Sequence, residues 1–172
     1  MLSRTHSPRR TGNFYIYQME WLNTGIAPLK DLLAFLYKKS KTNDVHKKKL
    51  IIELRDNLNV FKNGYFNLSP YDTMIDLLSR DAIQAAINEN FSFRKLRAGT
   101  IHASAIHDDR NKKYQGWNAE KLVDKIHEKI VELKNIKKMN RDTVKNVRNN
   151  IPLMMSNLYF RMKLLADFIR SE

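Results

Sequence analysis

The sequence predicts an all-α protein, a single bundle of about five helices. The chain of 172 residues contains only five glycines and four prolines, so long stretches are free of helix breakers. Apolar residues recur in several segments at spacings of three and four, which is typical of helices with one buried face. Hydrophobic residues make up 42% of the chain, enough for a core in a domain of this size.

Two parts of different character are expected along the chain. Residues 1–12 are polar and basic and lack the apolar centre of a signal peptide, so we predict a flexible arm. Whether this arm is a targeting segment or a plain tail stays open. Residues 13–172 are predicted to form the single helical domain. Its first segment, residues 14–22, alternates like a strand, but no partner strand follows, so we predict the start of a buried helix.

The next helix is predicted to begin at Pro28, which suits a first helical turn. Its buried stripe consists of Leu29, Leu32, Leu33 and Leu36. We then expect a hydrophilic loop over residues 37–49 and a helix from Asp44 to the Asn63–Gly64 pair.

A further helix is predicted to run from Ser69 and Pro70, as capping hydroxyl and first-turn proline, to about Asn88. Residues 90–117 read as irregular, with a short helix over residues 100–107. Asn118 is predicted to cap a regular helix with one buried face. The face comprises Leu122, Val123, Ile126, Ile130 and Leu133.

The last helix is predicted to begin at Asn140 and to carry a long apolar seam to Ile169, kinked or split at Pro152. Three aromatic residues lie off this seam: Tyr159, Phe160 and Phe168. A helix with two apolar faces is either central in its bundle or part of a dimer interface. A homodimer is the expected assembly.

The charge of the chain points to a polyanionic partner. The formal net charge is +13, from 31 basic and 18 acidic residues. Such an excess attracts polyanions, and nucleic acid is the first candidate. The predicted phosphate-contacting residues are Lys38, Lys39, Lys41, Lys47, Lys48, Lys49, Arg94, Lys95 and Arg110.

Other classes of function find little support. The absence of cysteine excludes disulfides, thiolate metal sites and cysteine nucleophiles. His102, His107 and Asp108 do not share one helix face, so no metal site and no cofactor are predicted. No apolar run is long enough to span a membrane, and we expect a cytoplasmic protein.

One motif contains residue types that can take part in catalysis. Arg97 and His102 are separated by four residues in Arg97-Ala-Gly-Thr-Ile-His102, ahead of the helix that Asn118 begins. This motif, in an all-helical chain, resembles the HEPN superfamily of helical bundles, many of which are metal-independent ribonucleases and others nucleic-acid binders. The family usually has a polar residue after the arginine, where this chain has Ala98.

The resemblance implies a dimer in which Arg97 and His102 are the catalytic pair. In RNA cleavage a histidine can move the proton of the ribose hydroxyl or of the leaving oxygen. An arginine can stabilise the negative charge that develops on the phosphoryl group. The predicted function is therefore RNA binding, or metal-independent RNA cleavage, in a dimer cleft. The alternative is a non-enzymatic basic helical adaptor, or a module binding DNA or a partner, that dimerises through its C-terminal helix.

Overall fold

The all-α prediction is confirmed. A computed structural model of the chain describes residues 20–22 and 26–171, and these residues contain no strand. They form six α-helices and four short 3₁₀ turns. The predicted arm over residues 1–12 lies outside the described residues, as does most of the aromatic segment 14–22, of which only a 3₁₀ turn at Glu20–Leu22 is described.

The first two helices form a tight hairpin. Helix α1 spans Leu29–Lys39 and helix α2 spans Val45–Phe66. The predicted loop over residues 37–49 was therefore too long, because only residues 40–44 connect the helices. Three of the four predicted stripe leucines of α1 are buried, and Leu33 is half-buried. Helix α2 continues past its predicted end to Phe66. Gly64 lies inside the helix at a packing position, since a Cβ there would lie 2.7 Å from the Met74 sulfur.

The predicted helix from Ser69 to Asn88 is in fact two helices, α3 (Tyr71–Leu77) and α4 (Asp81–Asn88). Pro70, not Ser69, occupies the position before α3, where no side chain caps the helix. The chain turns at residues 78–80, and two polar side chains of α2 hold this turn.

These two side chains, Glu53 and Asn57, are one helical turn apart and buried. The Asn57 amide donates to the Ser79 carbonyl at 2.7 Å and accepts from the Ser79 backbone N–H at 2.8 Å. Glu53 accepts from the Ser79 hydroxyl at 2.7 Å and from the backbone N–H groups of Ala82 and Ile83 at 2.7 and 3.2 Å. The carboxylate thus caps α4 from another helix, which satisfies N–H groups that have no partner within α4.

Residues 90–117 are irregular, as predicted, with 3₁₀ turns at Phe93–Lys95, Ala103–Ala105 and Asp109–Tyr114. The short helix expected over residues 100–107 is reduced to the second of these turns. Two backbone hydrogen bonds close the segment, from Ile101 N–H to the Trp117 carbonyl at 2.8 Å and from Gly116 N–H to the Ile101 carbonyl at 2.9 Å.

Helix α5 (Ala119–Met139) is confirmed in detail, including its cap, since the Asn118 side chain accepts from the Lys121 N–H. All five predicted core residues of this helix are buried. Asn140, however, does not begin the last helix. It ends α5, and its side-chain amide donates to the carbonyls of Thr143 and Lys145.

The last helix, α6, spans Ile151–Arg170 and is capped by Asn150. Pro152 is its second residue and neither kinks nor splits it, because a first-turn N–H has no intrahelical partner to lose. The preceding loop contains Arg141, Asp142 and Asn146 at positive φ. Asp72 of α3 anchors this loop, accepting from the Thr143 hydroxyl at 2.9 Å and from the Val144 N–H at 2.6 Å.

Helix α6 is the centre of the bundle, which decides between the two explanations of its apolar faces. Fourteen of its 20 residues are buried, among them Tyr159, Phe160 and Phe168. The Tyr159 ring lies 5.4 Å from both the Trp21 and the Phe61 ring centroids. The off-seam aromatic residues are covered by the chain itself, so the predicted dimer cannot use them without unfolding the bundle.

The Glu53 cap yields a stability prediction. We expect Glu53→Ala to lower the free energy of unfolding by about 3 kcal/mol, because donors in the half-buried Ser79 and Ala82 and the buried Ile83 lose their acceptor. Asp56→Ala is the matched control on the same helix: Asp56 is exposed and pairs with Arg55 at the surface. Its loss should cost about 0–1 kcal/mol. Urea denaturation followed by circular dichroism measures both, and equal losses would contradict the role assigned to Glu53.

Candidate nucleic-acid interface

The structure gives Arg97 a structural partner. Its Nη2 donates to the Ser171 carbonyl at 2.5 Å, directly after the last turn of α6. A cation there satisfies a free carbonyl and stabilises the negative end of the helix dipole. The Nε of Arg97 is buried and has no hydrogen-bond partner among the described residues.

His102 has different surroundings. It is exposed and lies just before the 3₁₀ turn Ala103–Ala105. Within the described part of the chain, no hydrogen bond joins His102 to Arg97, whose only side-chain bond is to Ser171. The bundle therefore holds the two residues of the motif by separate contacts, and their catalytic role stays a prediction.

The lysines at residues 38–49 are brought together by the α1–α2 hairpin. We call Lys38, Lys39, Lys41, Lys47, Lys48 and Lys49 the lysine corner. They lie on the last turn of α1, on the short connection and at the start of α2.

The connection that holds the lysine corner is ordered by local hydrogen bonds. The buried Ser40 donates from its hydroxyl to the Tyr37 carbonyl at 2.7 Å and from its N–H to the Leu36 carbonyl at 2.9 Å. Asp44 then caps α2 by accepting from the Lys47 N–H at 3.0 Å. Short connections of this kind fix the two lysine-bearing helix ends relative to each other.

The charges at the start of α2 are placed where a helix disfavours them. Lys47, Lys48 and Lys49 are its third to fifth residues, and no acidic residue lies in its first turn. Positive charge near a helix N-terminus opposes the dipole and typically costs a few tenths of a kcal/mol or more per residue. Residues that break a local rule of this kind are expected at functional positions.

Most of these lysines have no carboxylate to neutralise them. Among the described residues, no ion pair includes Lys38, Lys41, Lys47, Lys48 or Lys49. Lys137 of α5 differs, because it pairs with Asp76 at 2.8 Å. Residues 38–49 thus contain five lysines that belong to no ion pair among the described residues.

An aromatic ring completes this surface and was not predicted from the sequence. Tyr37, on the last turn of α1, is 54% exposed. The Lys41 ammonium lies 4.5 Å from the centroid of its ring, and the Arg55 guanidinium lies 5.9 Å from it. An exposed ring beside cations can stack on a nucleic-acid base while the cations contact phosphates. Only the folded hairpin reveals this grouping, since Arg55 is about three turns along α2.

The other predicted phosphate contacts lie elsewhere. Arg94 is exposed and 3.4 Å from Glu120, and the Lys95 ammonium lies 5.4 Å from the Phe91 ring centroid. Arg110 is exposed but fixed by contacts: its guanidinium lies 3.9 Å from the Phe160 ring centroid and donates to Ser156 and Asp108 at 2.5 and 2.8 Å. Arg110 therefore fastens the irregular segment to α6.

His127 is half-buried against the α3–α4 turn. Its Nε2 lies 3.1 Å from Nη1 of Arg80, which also donates to Gln84 at 2.7 Å. Burial, and then the charge of Arg80, lower the pKa of His127 below its ordinary value of 6.5, against opposing effects of Asp124, Glu53 and Glu128. The neutral imidazole accepts a hydrogen bond that the protonated form cannot.

In the described ranges, no three histidine, aspartate or glutamate side chains come together as a metal-ligand group. Of the helices described, none has the length and apolar character needed to cross a membrane. Compared with known protein families, curated proteins and solved structures, the chain matches none.

The Arg80–His127 contact predicts a pH dependence of stability. Because the pKa of His127 is lowered in the folded state, the unfolded state binds the proton more readily. Stability is therefore fully present above pH 6.5 and falls as the pH drops from there through the folded-state pKa. We expect a lower melting temperature at about pH 5.5 than at about pH 7.5.

His127→Gln is the informative variant, because glutamine still accepts from Arg80 but does not titrate. The melting temperature of His127→Gln should fall less between the two pH values than that of wild type. The melting temperature of His107→Gln, changed at an exposed position, should fall as much as that of wild type. Burial, and then the charges of Glu120 and Glu128, raise the pKa of Asp124, so the folded state binds that proton more readily and the effect of Asp124 on stability is opposite in sign to that of His127. An unchanged pH profile in His127→Gln would contradict this account.

Proposed function

We propose that the protein binds single-stranded nucleic acid through the lysine corner and Tyr37. The observation that carries the proposal is the run of three lysines at the start of α2, without carboxylate partners, beside an exposed tyrosine ring. Cations at this position destabilise the helix but become favourable when a phosphate binds there, because the helix dipole also attracts anions.

The arrangement fits a single strand better than a folded protein partner. Six lysines against one aspartate in residues 37–49 provide contacts for several successive phosphates. The Tyr37 ring is accessible to an unpaired base, and stacking is worth roughly 1–3 kcal/mol per base. RNA is the first probe, since it is the partner that the resemblance of the Arg97–His102 motif implies.

The proposal requires binding but no cleavage. Arg97 donates to the end of α6, so using it at a phosphate would require that bond to be released. The contribution of Arg97 to the fold is sufficient to explain its presence. Binding by the lysine corner involves neither Arg97 nor His102.

The salt dependence of binding tests this proposal quantitatively. If about six phosphates are neutralised, the logarithm of the association constant for a single strand should fall with the logarithm of salt with a slope near −4. The triple variant Lys38→Gln, Lys41→Gln, Lys48→Gln should reduce this slope by about 2, since each phosphate contact contributes roughly 0.7. Fluorescence anisotropy measures the slopes of wild type and of the triple variant. A labelled RNA of about 12 nucleotides is long enough for the expected number of phosphate contacts.

The control removes the same charge from other helical positions. Lys30, Lys121 and Lys138 are exposed and belong to no ion pair among the described residues. Their triple change to glutamine should leave the slope nearly unchanged. If both triple variants weaken binding equally, binding depends only on net charge and the lysine corner is not the site.

A cleavage assay separates binding from the ribonuclease activity implied by the motif. We expect the protein to leave single-stranded RNA intact in a chelator while still binding it, and His102→Ala to bind like wild type. Cleavage that His102→Ala abolishes and His107→Ala retains would establish His102 as catalytic, since losing a general acid or base costs roughly a hundredfold in rate or more.

A further inference from the structure

A second basic surface is a groove of about 430 Å³ between α5, α6 and the end of the irregular segment. Its walls include Tyr114, Trp117 and Arg161 together with two Lys–Glu pairs of α5. We propose that this groove binds a nucleotide, with the base on Trp117 and the phosphate on Arg161 and Lys113. The volume lies in the range of small-ligand sites, about 300–1,000 Å³.

The aromatic wall is held in place before any ligand arrives. Trp117 is half-buried, and its ring lies 5.0 Å from that of the buried Tyr114 at an interplanar angle of 71°. Its carbonyl accepts from the Ile101 N–H at 2.8 Å, which fixes the backbone. An indole ring with one accessible part and a fixed orientation suits base stacking at low entropic cost.

The cationic wall centres on Arg161. Its Nε donates to the Tyr114 hydroxyl at 2.6 Å, and its guanidinium lies 5.7 Å from the centroid of the same ring. In the part of the chain that the structure describes, no carboxylate pairs with Arg161 and neither Nη atom has a hydrogen-bond partner. A guanidinium fixed through Nε with both Nη groups available is the arrangement that binds a phosphate with two parallel bonds.

Lys113 adds a second charge, because its ammonium lies 5.3 Å from the Tyr114 ring centroid on the same wall. It is exposed and can move to a phosphate held by Arg161.

The α5 wall supplies acceptors as well as cations. Lys125 pairs with Glu128 at 2.5 Å, and Lys129 pairs with Glu132. All four residues lie on one helix face at spacings of three and four. The hydrogen bond from Lys125, and in addition the charge of Arg161, lower the pKa of Glu128, so it is ionised and accepts hydrogen bonds. Ribose hydroxyls are donors that such carboxylates bind.

The groove thus combines four cations with two carboxylates and an aromatic face, which matches the phosphate, ribose and base of a nucleotide. That chemistry is shared by a free nucleotide and by a nucleotide within a single strand. The groove and the lysine corner have no residue in common, so this inference stands without the proposed function.

Tryptophan fluorescence provides the test, since the chain contains only Trp21 and Trp117. Titration with ATP should quench wild type saturably, while Trp117→Phe, which retains Trp21, should show no saturable change. Adenosine and inorganic pyrophosphate should each bind at least tenfold more weakly than ATP, because each uses only one wall. If a 5′-phosphorylated dinucleotide quenches the fluorescence and ATP does not, the ligand of the groove is a nucleotide within a single strand, and the proposed site is still supported.

Two variants address the phosphate wall. Arg161→Gln should weaken ATP binding at least tenfold, and Lys113→Gln, at an exposed position where folding is not at risk, at least threefold. Lys138→Gln is the control, since this exposed α5 lysine lies outside the groove. The lysine-corner triple variant should bind ATP like wild type, which separates this site from the RNA surface. If neither ATP nor the dinucleotide quenches Trp117, or if Lys113→Gln and Lys138→Gln weaken binding equally, the proposal is overturned.

Discussion

The burial of α6 is the constraint on which the rest of the structure depends. A helix with 14 of 20 residues buried has almost no solvent face, so other elements must surround it. Helices α1, α2 and α5 pack against it, and so do two of the 3₁₀ turns of the irregular segment. Two charged residues are buried with it: Lys163 donates to Asp167 at 2.7 Å, and the exposed Arg170 donates to the same carboxylate at 2.8 Å. Such a cluster is tolerated in a core because its charges are paired.

The packing of the irregular segment against α6 also explains the contacts of two of its arginines. Arg97 bonds the carbonyl that follows α6, and Arg110 lies on the Phe160 ring. The Asn111 amide donates to the Phe160 carbonyl at 3.0 Å. An irregular segment has few backbone hydrogen bonds of its own, so side chains must fasten it to the core. These side chains fasten the irregular segment to α6 and to the residue after it.

The local features of the fold could be predicted from the sequence. The buried stripes of α1 and α5 follow helical spacing, and the Asn118 cap has the expected residue type at the expected place. The errors arose where a distant residue decides the outcome. The α3–α4 break depends on Glu53 and Asn57 of α2, which no local pattern reveals. Likewise the seam spacing continues through Val144 and Val147, but Asp72 holds that stretch as a loop.

The candidate sites likewise combine features that the sequence predicts with features that only the fold determines. The residues of the lysine corner could be named from the sequence. Their position on two adjacent helix ends could not, because the connection between α1 and α2 is shorter than predicted. The contacts of Tyr37 with Arg55, and of Tyr114 with Arg161, join residues far apart in the sequence. A motif read along the chain, such as Arg97 with His102, gives no information on whether tertiary contacts hold its members together.

Hydrogen–deuterium exchange with and without bound RNA tests the central claim most directly, because it locates the site without altering any residue. The account predicts added protection at the end of α1, in residues 40–44 and in the first turns of α2, with little change over residues 97–107. Protection confined to residues 97–107 would contradict it and would return the site to the Arg97–His102 motif.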